Sequence, residues 1–187
     1  MLSSQVINSY RYAGGGAGCF ESYSYQNGVN SQLASWCSTR DTYGIVLVAG
    51  SELIGKSVTS VEYKFKKNGS GTTCTSEFTS RIVADATHGS NSKDAIATST
   101  NTIDASTVSD DQILTFTYSS PSPLVEGNGI CVNATNTNTC MDCWTNYFTL
   151  KTRSGVYDSD VFLTIEWGGS AWETFTSHNM FIKVCYE

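Results

Sequence analysis

The sequence predicts an all-β chain: a jelly-roll-type antiparallel β-sandwich of about eight strands with an irregular N-terminal extension. Three observations carry that reading. Apolar and polar residues alternate with period two in several runs, Gly, Asn, Ser and Pro punctuate the runs, and only 15% of residues are charged while Ser, Thr, Asn and Gly abound. No segment sustains a 3.6-residue apolar period, so a helix has no stripe to bury.

The extension covers residues 1–40 and the sandwich residues 41–187. Gly14-Gly15-Gly16, Cys19 and a Tyr/Asn/Gly/Ser stretch up to Cys37 follow no fixed period. The segment reads either as a piece that pairs with a neighbouring subunit or as a cap on the sandwich. From Tyr43 the pattern turns strand-like, and Tyr43 to Ala49 is a short apolar run suited to a buried strand. Val61, Tyr63 and Phe65 alternate with Glu62, Lys64 and Lys66, which predicts a strand with one wet face. Asn68-Gly69-Ser70-Gly71 supplies turn chemistry after it.

Phe78 to Ala84 and Ala95 to Thr100 follow as strands, and Asp104 to Gln112 has room for one helical turn. Leu114, Phe116 and Tyr118 alternate with Thr115 and Thr117 before Pro121 and Pro123 end the run. Gly129 to Ala134, Tyr147 to Leu150 and Val161 to Trp167 are the next candidates. Met180, Ile182, Val184 and Tyr186 close the chain in alternation with Phe181, Lys183 and Cys185.

Charge and hydropathy exclude some classes. The net charge is −6, and the longest basic cluster is Lys64-Phe65-Lys66-Lys67, so the basic stripe of a nucleic-acid binder is missing. No stretch reaches the roughly 20 apolar residues of a membrane-spanning helix. Met1-Leu2-Ser3-Ser4-Gln5 lacks the basic and apolar regions of a signal peptide. The expectation is either a leader removed upstream or release by another route, such as lysis with a virus particle.

Seven cysteines in a chain of this composition point to an oxidising compartment with two or three disulfides. Connectivity is not deducible from spacing. The pairing expected is Cys19 with Cys37, stapling the N-terminal segment, and Cys131 with Cys185, cross-linking two strands. Cys140-Met141-Asp142-Cys143 reads as a disulfide-tied loop, because neither histidine offers the spacing that a zinc site needs and no strand–helix context suggests a redox pair.

The run Ile54-Gly55-Lys56-Ser57-Val58-Thr59-Ser60-Val61 leads into a Lys-rich strand. Ile96-Ala97-Thr98-Ser99-Thr100, Ile113-Leu114-Thr115-Phe116-Thr117-Tyr118 and a proline-bearing turn before Gly129 follow, with Gly168-Gly169-Ser170-Ala171-Trp172 near the end. Over about residues 42–187 this order resembles the galactose-binding-like and carbohydrate-binding-module-like jelly rolls of secreted and surface proteins. The resemblance implies a non-catalytic binding or adhesive module.

Constellations of catalytic residues do not emerge. The acidic residues are scattered, and neither Gly-x-Ser-x-Gly nor His-Glu-x-x-His occurs, so no enzyme is expected. His88, in a Gly/Ser/Asn loop, and His178, before the last strand, read as surface residues. Sugars stack on exposed aromatic rings beside amides and carboxylates. That chemistry singles out Trp144 with Asn146 and Tyr147, Trp172 with Glu173, and Trp36, against the competing reading that each ring is core. Asp158 and Asp160, and the Asp110-Asp111 pair, are candidate calcium ligands in turns, with solvated turn aspartates as the competing reading. Asn68-Gly69-Ser70 and Asn133-Ala134-Thr135 match the N-glycosylation pattern.

The expected setting is therefore extracellular, at a cell surface or on a virus particle. The expected partner is a glycan or cell surface. In the alternative, the chain is a structural subunit of a virion, filament or surface layer, and its partners are copies of itself joined through the N-terminal segment.

Overall fold

The computed structural model describes residues 17–22, 35–36, 40–68, 76–119, 121–134, 147–150, 152–154, 161–167, 171–176 and 178–187. In chain order the strands are β1 (Gly18–Glu21), β2 (Ser35–Trp36), β3 (Arg40–Leu47), β4 (Val58–Asn68) and β5 (Glu77–Val83). Then come β6 (Ala95–Thr98), β7 (Ile103–Asp104), β8 (Gln112–Thr117), β9 (Gly129–Ala134) and β10 (Tyr147–Leu150). Last are β11 (Thr152–Ser154), β12 (Val161–Trp167), β13 (Trp172–Phe175), β14 (His178–Met180) and β15 (Ile182–Tyr186). One 3-10 turn, Ala105–Thr107, fills the space where a helical turn is expected, and Asp104 caps it by accepting from the Ser106 N–H. The chain is an antiparallel β-sandwich.

The wet-faced strand β4 organises the first sheet. β8 runs along one side of it, from Ser60↔Thr117 to Phe65↔Gln112. The other side is shared by two strands end to end: β10 pairs at Phe65–Asn68 and β15 at Val58–Tyr63. Where they meet, β11 leaves and β14 arrives as a paired ribbon, Thr152↔Met180 to Ser154↔His178. β1 then lies outside β15, and β2 outside β10. The second sheet runs β13-β12-β3-β9-β5, with β6 and β7 on the far side of β5.

Alternation decides what meets between the sheets. Phe20, Val61, Tyr63, Phe65, Leu114, Phe116, Phe148, Leu150, Ile182 and Val184 of the first sheet pack on Tyr43, Ile45, Leu47, Phe78, Ile82, Ile130, Val132 and Val161 of the second. Phe78 sits at the centre of an aromatic run, with ring centroids 4.8 Å from Phe65 and 5.2 Å from Phe148. The opposite face of the first sheet is polar, and Glu62 and Lys183 stand directly across from each other there.

One polar group in this apolar layer is fully engaged. Ser80 of β5 points inward, donates to the Cys131 carbonyl at 3.1 Å, accepts from Tyr118 Oη at 2.6 Å and lies 3.1 Å from Tyr63 Oη. Two tyrosine hydroxyls from the first sheet are thereby satisfied by one serine of the second. Burial pushes both phenols well above their ordinary range, so they stay neutral donors.

Sheet edges are managed as well. On the outer side of β8, Asn101 substitutes for a strand: its Oδ1 accepts from the Thr117 N–H at 2.9 Å and its Nδ2 donates to the Thr115 carbonyl at 3.0 Å. Ser99 N–H meanwhile donates to the Ser80 carbonyl, so the residues between β6 and β7 bridge both sheets.

Two described stretches of the N-terminal segment join the sandwich: residues 18–21 are an edge strand, with Phe20 in the core, and residues 35–36 pair with β10. Cysteine pairing differs from expectation. Cys19 bonds to Cys185 and not to Cys37, because β1 lies directly beside β15 and brings the two residues into register. Cys131 is a buried free thiol on the opposite sheet, so it is not the partner of Cys185. The Cys19–Cys185 link closes a separation of 166 residues, and in the chain-entropy picture such a closure contributes on the order of 5 kcal/mol. Cys37, Cys140 and Cys143 lie outside the described residues.

Ser80→Ala removes the partner of two buried hydroxyls and of one carbonyl. The expected cost is about 1–3 kcal/mol in urea unfolding, with unchanged m-value; a stability equal to the parent's counts against the network.

Candidate functional site

Strands β3 and β9 carry apolar side chains on both faces. Thr42 to Leu47 and Gly129 to Ala134 are buried without interruption. The second face is covered by residues 84–94, a loop whose ends meet through the Ala84 N–H to Asp94 carbonyl bond at 2.9 Å. Beneath it Val46, Val83, Ala86, Cys131 and Trp172 form a second, smaller apolar cluster.

Glycines make this close approach feasible. A Cβ on Gly129 would stand 2.5 Å from Ala86 Cβ, and one on Gly44 would stand 2.6 Å from Cys131 Sγ. The strap is then tied across the sheet. Ala86 N–H donates to the Gly127 carbonyl, and Thr164 Oγ1 of β12 donates to the Ala86 carbonyl at 3.0 Å. Gly89 N–H donates to the Trp172 carbonyl at 2.8 Å, Trp172 N–H to the Ser90 carbonyl at 2.9 Å, and Trp172 Nε1 to the Ser92 carbonyl at 2.7 Å. Lys93 pairs with Glu166 on β12.

Inside the strap, Asp85 accepts from both the hydroxyl and the N–H of Thr87. The Thr87 hydroxyl is the main cause holding the Asp85 carboxyl below its ordinary range, against a smaller opposing effect of burial.

Where the strap stops, the sheet face is left open as a groove of about 410 Å³. Val46 and Val48 of the β3 segment give it an apolar floor, Thr174 and Thr176 form one side, and Thr87 and His88 of the strap form the other. Among the described residues the Thr174 hydroxyl is buried with no hydrogen-bond partner, a state that costs about 1–3 kcal/mol relative to a satisfied group. Among the described residues that line the groove, His88 is the one titratable side chain.

The sequence-predicted aromatic set is not assembled here. Trp172 is 1% exposed. Its indole is the pin of the strap, which corrects the expectation of an exposed stacking ring: alternation along β13 puts it over Val46 and Cys131, and its N–H finds a carbonyl in the loop above. Glu173 is exposed on the other side of β13 from Thr174. Trp36 is a strand residue opposite Phe148 in the β2–β10 ladder, not part of a loop, and Tyr147 stands opposite Asn68. Trp144, Asn146, Asp158 and Asp160 lie outside the described residues.

The other aspartate pair serves a turn. Asp110 accepts from the Lys67 N–H, and Asp111, at φ 57°, pairs with Lys64 at 3.1 Å. Asn133, which opens the second N-glycosylation pattern, is 7% exposed and its Oδ1 accepts from Thr79 Oγ1, so burial keeps its side chain from modification in the folded chain. The groove residues themselves carry no sequence signature, since valines and threonines are ordinary strand residues.

Comparison with family models, curated proteins and solved structures finds no match to this chain. Among the described residues no helix is long and apolar enough to cross a membrane, and no group of His, Cys, Asp and Glu converges as metal ligands.

Two expectations follow. Because the folded-state value of Asp85 is depressed, its contribution to stability is complete above the unfolded value of about 4 and fades as pH falls through the lower folded value. Thr87→Val moves the Asp85 carboxyl back up in an NMR titration; an unmoved titration contradicts the assignment of cause. Burial, aided by the Glu166 charge, raises the Cys131 thiol far above its ordinary range, outweighing Arg81. At about pH 8, alkylation of Cys131 is therefore slow in the native protein and fast in urea, as peptide mass mapping reads directly.

Proposed function

We propose that this chain is a non-catalytic module of an extracellular, cell-surface or particle-surface protein, and that it binds a neutral saccharide in the groove beside the strap. The observation that carries the reading is the meeting, in one groove, of an apolar floor, Val46 and Val48, with the exposed polar side chains of Thr87, His88 and Thr176. A pyranose offers both halves of the complement. Its C–H face covers Val46 and Val48, and its ring hydroxyls donate to and accept from Thr176, Thr87 and His88.

The lining favours an uncharged ligand, because its described residues present hydroxyls and one imidazole and no carboxylate, lysine or arginine. The same composition supports a binding role over hydrolysis, which calls for paired carboxylates or a nucleophile with its base. The accessible Cys19–Cys185 disulfide supports an oxidising compartment. The resemblance to carbohydrate-binding jelly rolls points the same way. The floor is aliphatic and not aromatic, so single-site affinity is expected to be weak, with useful avidity coming from several copies.

Assembly of copies through the N-terminal segment has less support from the described residues. β1 is packed on its own chain, with Phe20 in the core.

The test is a titration of isotopically labelled protein with neutral mono- and oligosaccharides. Saturable shifts are expected at Val46, Val48, Thr174 and Thr176, and Thr176→Val is expected to weaken binding about threefold to tenfold. Absence of saturable shifts at these residues across the panel, at millimolar ligand, would sink the proposal.

A further inference from the structure

We infer that the Cys19–Cys185 bond is a thiol-exchange site, and that its opening by a dithiol reductant releases strand β1 and bares the edge of β15. The inference is independent of the groove and its ligand.

Four observations bring it together. First, the two cysteines lie directly opposite in an antiparallel ladder, with Cα atoms 4.0 Å apart, the spacing of a closely set pair that exchanges no main-chain bonds. The covalent bond is therefore what joins the strands at that position. Second, alternation puts Phe20 inward and both sulfurs on the outer face of the sheet. Cys19 is exposed and Cys185 is half-buried, so an attacking thiolate reaches Cys19 first.

Third, β1 is an edge strand of four residues. Besides the disulfide, the described contacts that hold it include Phe20 at 2% exposure, the short ladder from Gly18↔Tyr186 to Glu21↔Lys183, and Ser22, whose N–H donates to the Ile182 carbonyl and whose hydroxyl donates to the Met180 carbonyl. Fourth, the rest of the sheet does not rest on β1. β15 is paired on its other side with β4 over Val58–Tyr63, and Ser57 and Glu187 bond each other in both directions beyond it. Removing β1 leaves β15 seated, with one row of main-chain groups exposed for another extended strand.

The exchange balances without further reactants. One thiolate of the dithiol attacks Cys19 Sγ, the Cys19–Cys185 bond breaks, and Cys185 leaves as a thiolate that takes a proton from water. The second thiol, losing its proton to water, attacks the mixed disulfide and closes the reductant's own disulfide. Cys19 departs as a thiolate and is protonated in turn. Two electrons pass from the dithiol to the cysteine pair.

Hydrogen exchange read by mass spectrometry, on the full chain before and after dithiothreitol, tests the latch, with alkylation confirming that the bond is open. The expected result is a loss of protection at residues 18–22 and 182–186 that leaves them exchanging about tenfold or more faster than β3 and β9, whose protection falls only with the global stability that the closure supplied. The double variant C19S/C185S is expected to show the same local loss without reductant and no further change there when it is added. Unchanged exchange at 18–22 with the bond open overturns the inference. Equal exchange at 18–22 and throughout β3 and β9 overturns it too, because the bond then holds the whole fold and not one strand.

Discussion

Central strands with apolar side chains on both faces require that both faces be covered, and the architecture follows from that requirement. The inner faces of β3 and β9 are met by the opposing sheet. The outer faces are met by a loop of polar composition that buries few groups of its own. Such a loop closes over apolar surface only if its main chain is bonded, which is why Trp172, Thr164, Gly127 and Asp94 all supply partners to it. The groove is where this cover ends: Val46 continues under the strap and Val48 emerges from it. The candidate site is thus a by-product of how the sheet is roofed, not a separate construction.

Different parts of the fold were legible for different physical reasons. β4, β8 and β15 have one wet face, so period-two alternation marks them plainly in Val61–Phe65, Leu114–Tyr118 and Ile182–Tyr186. β3 and β9 are dry on both faces and show instead as continuous apolar runs. β13 is obscured because Gly168-Gly169-Ser170 reads as a turn and Trp172-Glu173-Thr174-Phe175 is too short to declare a period. β1 is shorter still in pattern, with one core residue, Phe20, and its place is set by a strand at the far end of the chain. Local sequence carries no information about that partner.

The candidate site was less legible than the fold. Aromatic residues drew attention because their chemistry is distinctive, yet Trp172 spends its indole on the strap. Thr174 and Val48 gain meaning only from what lies beside them. A threonine with a satisfied hydroxyl and one without are the same letter. Cys131 and Cys185 likewise both sit in strands, and only register tells which of them meets Cys19.

Strand β15 is the last of the chain, yet it lies between β4 and β1 and is flanked on both sides. A ribosome delivers it after every other described strand. Until it emerges, β4 lacks its partner along Val58–Tyr63, and Phe20 lacks Val184 across the ladder. Closure of the first sheet must therefore await the emergence of residues 182–186, and the cysteine partners cannot meet earlier. Folding with such long-range pairing is slow, and a chain truncated before Ile182 presents an unpaired central strand to its neighbours. The emergence of β15 is, for this molecule, the event that turns an aggregation-prone intermediate into a closed sandwich.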